Sequence, residues 1–230
     1  MRQNTSRTLF VLLVLLFLSV VAIFWFYAGG ARSTYTVSPT EFKVEYIDDT
    51  PMGGDTQGSV TVDGDGYVVL NCNLGKAHRW PFCEVAISLS ADAANGIDLT
   101  HYHSMVIEAA YDTPEPNQRL RVYLRNFNSA YSRIDDPVSL KFNGLEYNPS
   151  GSMSEYVLPL KAFQVISWWI SDLDIPLEHA GPELSNVSLI EIATGSAPIL
   201  GEHELVIRGI RFEGLMLSES QLFRGITFVW

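Results

Sequence analysis

Between Leu9 and Ala28 the chain reads LFVLLVLLFLSVVAIFWFYA, twenty residues interrupted by one polar side chain, Ser19. No other stretch restricts the fold as tightly. As a helix rising about 1.5 Å per residue, it covers roughly the 30 Å hydrocarbon core of a bilayer. A cleaved signal peptide is the alternative, with YAGGA as its small-residue site. Such peptides carry an apolar region of roughly 7–15 residues; this run is longer, which favours an uncleaved anchor. Arg2 and Arg7 precede the run with no acidic residue nearby, which places the amino terminus in the cytoplasm. Trp25, Phe26 and Tyr27 gather at the far end, where amphipathic rings prefer the headgroup zone. The organisation expected is a cytoplasmic tail (1–7), a membrane helix (8–29), a Ser/Thr-rich linker (30–40) and an extracytoplasmic domain (41–216). In a bacterium this is a single-pass inner-membrane protein with its carboxy-terminal domain in the periplasm.

All 26 acidic residues lie beyond the apolar run, against 15 basic residues in the whole chain. That acidity argues against nucleic acid or anionic lipid as the main partner of the outer domain. Its length suits one large domain with its own core. Cys72 and Cys83 flank NLGKAHRWPF, between the strand-like YVVLNC and CEVAISL. In an oxidising space they read as a disulfide closing a hairpin loop, with two buried free thiols as the alternative. Nothing nearby forms an activating pair for a catalytic thiol.

Nine segments read as strands: SVTVDG, GYVVLNC, CEVAISLS, SMVIEAAY, LRVYLRNF, SLKFNGLEY, SEYVLPL, VSLIEIAT and ELVIRGIRFEG. They are rich in Val, Ile, Leu and aromatics and are separated by Gly, Pro, Asn and Asp clusters. Outside the membrane span only LKAFQVISWW holds a short helical turn. Strands without long helices between them exclude a parallel βαβ sheet and predict an all-β, antiparallel sandwich or jelly roll. The final stretch, LSESQLFRGITFVW (217–230), opens with Ser and Glu as a helix start does, then turns apolar. It reads as the beginning of a second membrane helix, with a closing strand or tail as the alternative.

Enzyme motifs are missing: no G-x-S-x-G elbow, no H-E-x-x-H zinc helix, no phosphate-binding or dinucleotide loop. His101 and His103 make a weak H-x-H pattern, and no metal or cofactor is implied. DGDG (Asp63–Gly66) lacks the closing Glu of a calcium loop, Leu74 standing there, and reads as a hairpin turn. GGD (Gly53–Asp55) also reads as a turn. The acidic pairs Asp48-Asp49 and Asp135-Asp136 are sequence neighbours and lack the separation of glycosidase carboxylates.

What remains is a polar and aromatic face. In LRVYLRNFNSAYSRIDD, strand alternation sends Leu120, Val122 and Leu124 one way and Arg121, Tyr123 and Arg125 the other. Lys141 and Asn143 form the polar side of SLKFNGLEY, Tyr131 lies in the connection, and ISWWISD offers Trp168 and Trp169. Planar rings stack on sugar faces, while Arg and Asn direct hydrogen bonds. The candidate ligand-binding set is therefore Arg121, Tyr123, Arg125, Lys141, Tyr131 and Trp168. The competing account pairs the two arginines with cross-strand acids such as Glu108 or Glu191 and puts the tryptophans in the core.

LRVYLRNFNSAYSRIDDPVSLKFNGLEY, with VLPLKAFQVISWW, SNVSLIEIATG and IRGIRFEG, resembles extracytoplasmic sensory regions of membrane-bound GGDEF-type diguanylate cyclases. Those regions resemble galactose-binding-like and carbohydrate-binding-module jelly rolls. The likeness extends from Val60 to Gly214. It implies a domain between two membrane helices that passes ligand occupancy to a cytoplasmic cyclase. This chain departs from that plan, since no cyclase domain is present and a second helix is at best begun, so no cyclase active-site residue carries over. From the sugar-binding relatives only the polar strand face carries over, onto Arg121, Tyr123, Arg125 and Lys141. The expected function is non-enzymatic: an anchored sensory or ligand-binding domain of a signalling receptor that lacks its output domain here. A tethered carbohydrate-binding module without a signalling role is the alternative, and a degenerate hydrolase is a third, weaker reading. Expected partners are the bilayer through the first helix, a small-molecule or glycan ligand, and a second copy in a homodimer.

Overall fold

The computed structural model describes residues 2–217 and 219–230, with side chains from residue 7 onward. Met1 of the expected tail and Ser218, at the expected start of the last helix, lie outside the described residues. The chain divides into a helical unit (Met1–Thr34 with Glu213–Trp230) and a sandwich unit (Tyr35–Phe212).

In the helical unit, α1 (Arg2–Trp25) runs into a wider turn, Phe26–Gly30. The turn ends through Gly29 at φ +92°, a conformation that a side chain would strain. The segment Arg7–Gly30 is long and apolar enough to cross a membrane. A second helix, α3 (Glu219–Val229), runs back beside α1. Tyr27 donates its hydroxyl to Glu219 Oε1 at 2.7 Å, and Trp230 donates Nε1–H to Ser19 Oγ at 3.0 Å. Position 27 thus faces 219 and position 19 faces 230, so the two helices are antiparallel. Leu222 and Ile226 fill the seam against Ala22 and Ile23.

The sandwich unit contains all nine strand segments read from the sequence and three short ones that were not. Its first sheet runs β3 (Gln57–Val62), β4 (Val68–Leu74), β12 (Gly201–Leu215), β6 (Tyr102–Asp112), β9 (Ser154–Pro159). The segment read as linker forms β1 (Arg32–Thr36), which pairs with β12. The second sheet runs β10 (Gln164–Val165), β8 (Lys141–Tyr147), β7 (Leu120–Asn126), β11 (Val187–Thr194), β5 (Cys83–Ser88), β2 (Val44–Asp48). Every pair with a defined register is antiparallel. In β4, Val68, Leu70, Cys72 and Leu74 are buried and alternate with Asn71 and Asn73, which are exposed. That alternation follows from one face meeting the core and the other meeting water. Strands β5, β7 and β11 are instead buried nearly throughout. Over β7, β8 and β11 the connections 127–139 and 163–183 account for this, since Tyr131, Ile166, Trp169, Ile170 and Ile175 pack there with Tyr123, Phe142 and Ala193.

The Asp63–Gly66 turn joins β3 to β4 as expected; the Asp63 carboxylate accepts from the amides of Asp65 and Tyr67, at 2.9 and 2.8 Å. The disulfide exists but does not close a hairpin. Cys72 lies on β4 and Cys83 begins β5, and these strands belong to different sheets. Adjacency in sequence suggested pairing, yet β4 finds its partners in β3 and β12. The bridge therefore ties the two layers together. Replacing both cysteines with serine should lower the unfolding free energy by about 2–3 kcal/mol, the loop-closure value for so short a span. Denaturant unfolding of the full chain in micelles measures it; an unchanged midpoint would show that the bridge constrains nothing.

Candidate functional site

The outer face of the second sheet is set by the register of β7. Leu120, Val122 and Leu124 enter the core at 0–1% exposure, which turns Arg121, Tyr123 and Arg125 outward. On one side Arg125 lies opposite Phe142, Tyr123 opposite Gly144 and Arg121 opposite Glu146. On the other side Tyr123 lies opposite Glu191 and Arg121 opposite Ala193, which pairs in turn with Glu84. Gly144 is required here, since a Cβ would stand 2.6 Å from Ile166 Cδ1 and 2.9 Å from the Tyr123 ring.

Arg125 is committed to the structure. Its Nη1 donates to Glu191 Oε1 at 2.5 Å, and its Nη2 donates to the carbonyls of Pro137 and Leu140. The guanidinium also lies 3.1 Å from the Phe142 ring centroid. This is the cross-strand pairing that competes with a ligand role. The other acid considered for it, Glu108, sits in the first sheet and pairs with Arg208.

The pairing is incomplete, and the remainder has chemical interest. Arg125 Nε and Glu191 Oε2 are buried without a hydrogen-bond partner. Glu84, 9% exposed, lies two strands from Tyr123. Burial, then the Glu191 carboxylate, push Glu84 up to about 8, against the pull of Arg125 and Arg121. At neutral pH it is therefore a protonated carboxylic acid, able to donate one hydrogen bond and accept others. Arg121 donates Nε–H to the Thr194 carbonyl at 2.8 Å and lies 5.7 Å from the Tyr123 ring. Its terminal nitrogens enter no ion pair among the described residues, because Glu146 faces Arg119 and the Ser196 amide instead.

An aromatic wall borders these groups. The short helix α2 (Ser167–Asp172) buries Trp169 against Tyr131, and Trp169 donates Nε1–H to the Val138 carbonyl at 3.1 Å. Its neighbour Trp168 packs edge-on to Phe142 at 4.9 Å and stays 41% exposed. Together Tyr123, Phe142, Trp169 and Ala193 form a second small core on this outer face.

Of the remaining predicted residues Lys141 sits elsewhere, and Tyr131, whose ring packs on Trp169, turns its hydroxyl to the same place. Lys141 was read with the polar face of β7, but it lies opposite Asn126, on the side opposite Arg121 and Arg125. The reading lacked the strand register, which puts Phe142, not Lys141, opposite Arg125. The Lys141 ammonium donates to Glu183 Oε2 at 2.8 Å and to the Gly181 carbonyl at 3.1 Å. Tyr131 donates to the same carboxylate at 2.7 Å, and Asn128 to its other oxygen at 2.8 Å. Burial raises Glu183, but these donors outweigh it and hold the carboxyl below its usual range. Every acceptor here is used, which makes this network a clasp between connections.

Three members of the predicted set, Arg121, Tyr123 and Arg125, thus share one face, and Trp168 borders it. The sequence reading missed Glu84 as a site residue and used Glu191 only as a structural counter-charge. A signal was available: each is the lone carboxylate inside an apolar strand, in CEVAISL and VSLIEIAT.

No protein-family model matches the sequence, and no curated protein is similar to it. Solved structures share its fold. A family 11 carbohydrate-binding module of the cellulosomal cellulase Lic26A-Cel5E of Clostridium thermocellum aligns with TM-score 0.50 and 11% identity, over 81% of this chain and 98% of that one. A family 11 module from the same organism, in complex with a β-1,3-1,4-mixed-linked tetrasaccharide, aligns with TM-score 0.50 and 11% identity, over 80% and 96%. The sandwich has the fold of a carbohydrate-binding module. The likeness bears on the sandwich alone and not on the cyclase half of the sequence resemblance.

Glu84 supplies a pH test. Folded, it holds its proton to about pH 8; its ordinary value is 4.5. Between these limits the folded chain binds more protons, so the contribution of this group is full at low pH and is lost as pH rises towards about 8. Glu84→Gln, neutral throughout, should gain thermal stability relative to the parent as pH rises across that window. Melting curves of both proteins check this, and parallel pH profiles would contradict the buried acid.

Proposed function

We propose that this chain is a membrane-tethered carbohydrate-binding module whose ligand lies on the outer face of the second sheet. One observation carries the reading: Glu191 Oε2 and Arg125 Nε are buried without hydrogen-bond partners, close to the raised carboxyl of Glu84 and to the fork of Arg121, which enters no ion pair among the described residues. Leaving a buried polar group unsatisfied costs about 1–3 kcal/mol. A ligand rich in hydroxyls, each both donor and acceptor, suits the half-buried fork of Arg121 beside them. The exposed edge of Trp168 supplies planar apolar surface of the kind that packs on sugar rings, backed by Phe142 of the small core. The shared fold with a module solved around a mixed-linked tetrasaccharide supports the same ligand class. The chemistry is binding without turnover, and α1 holds the module at the surface of a membrane.

A second reading makes the same sandwich the sensing region of a cyclase-type receptor in a bacterial inner membrane, facing the periplasm. What favours it is α3, whose antiparallel course beside α1 points the chain back towards its starting side. Ligand would then act by preferring one arrangement of sandwich and helices over another.

The binding reading is tested by calorimetric titration of the full chain in micelles with mixed-linked β-glucan oligosaccharides and a panel of other glycans. Arg121→Ala and Trp168→Ala should each weaken binding by about tenfold, equivalent to about 1.4 kcal/mol, without lowering the melting temperature. Absence of binding to any glycan, or unchanged affinity in both variants, would remove this face as the site.

A further inference from the structure

We propose that α3 is embedded in the membrane, paired antiparallel with α1, so that its outward side faces lipid. The proposal does not depend on what the sandwich binds. Polar groups along the seam are matched to one another: Glu219 with Tyr27 at one end, Trp230 with Ser19 at the other. Ser19 also donates to the Leu15 carbonyl, and Thr227 donates to the Phe223 carbonyl, so the hydroxyls of this region are satisfied inside the helices. That is the requirement a hydrocarbon solvent imposes. Leu222 and Ile226 face α1 and Val229 lines the same seam, while Phe223 and Phe228 flank it, Phe228 at 93% exposure. The two exposed phenylalanines suit acyl chains better than water, and they share the exposed surface of α3 with Ser220, Arg224 and Thr227.

Depth follows from the pairing. Tyr27 and Glu219 lie where the apolar run of α1 ends, at headgroup level. Ser19 lies near the middle of the run, and Trp230 is hydrogen-bonded to it. Eleven helical residues rise about 16 Å, close to half the hydrocarbon thickness. Arg224, the charged side chain beyond the first turn of α3, can extend its stem back to the headgroups. The competing arrangement is an amphipathic helix lying flat in the interface, with its polar side in water.

The test uses the full chain in phosphatidylcholine vesicles with a nitroxide at Phe228→Cys. Cys72 and Cys83 are bonded to each other, so the introduced thiol is labelled alone. The label should be relaxed by oxygen and lose relaxation by a water-soluble nickel complex, as a label at Leu12→Cys on α1 does. A Ser19→Cys, Trp230→Cys pair should cross-link on oxidation in the same vesicles. Relaxation by nickel comparable to that at Asp65→Cys, or a label at headgroup depth, would overturn the embedding. A deep label without the cross-link would overturn the pairing.

Discussion

The ion pair between Arg125 and Glu191 decides how the second sheet is used. Both side chains are 4% exposed, and their charged atoms stand 2.5 Å apart. Desolvating two charges costs several kcal/mol per ion, and only good geometry with further hydrogen bonds returns it. Here the return comes from the Pro137 and Leu140 carbonyls and the Phe142 ring, all supplied by the connection into β8 and by β8 itself. The pair thereby pulls that connection onto the sheet, and Trp169, Phe142 and Tyr123 pack around it. Removing either partner would strand the other charge in this setting, a loss of about 3–5 kcal/mol.

The same pair leaves its neighbourhood unbalanced. Glu191 spends one oxygen on Arg125 and keeps the other, while Glu84 is held beside it by strand pairing and retains its proton. A face that is apolar and closed towards β8 therefore becomes polar and partly unsatisfied towards β5. The Lys141–Glu183 network shows the contrast, since its buried charges are fully matched and it acts only as a clasp. The proposed binding face differs from that clasp in keeping hydrogen-bonding capacity unused.

Much of the architecture is readable along the chain, because short alternating segments bounded by turn residues leave little choice but an antiparallel sandwich. Val68, Leu70, Cys72 and Leu74 announce β4 by periodicity alone. What periodicity omits is partner identity. Cys72 and Cys83 looked like two sides of one hairpin, yet they lie on different sheets, and Lys141 seemed to share a face with Arg121 until pairing with Asn126 turned it away. Strands β1, β2 and β10 escaped notice: two have five residues and one has two, and they rely on neighbours rather than on their own pattern. Glu84 was overlooked for a related reason. A carboxylate in a strand usually marks the solvated face, and only tertiary structure makes this one buried, between β11 and β2.

The proposed site lies on this face, and carboxyl carbon NMR of the full chain labelled at glutamate reads it through Glu84 and Glu191, buried beside Arg121. On titration with an oligosaccharide the chain binds, the account predicts saturable movement of these two resonances, with Glu183 unmoved. Movement confined to carboxyls of the first sheet, such as Glu202 and Glu204, would contradict it.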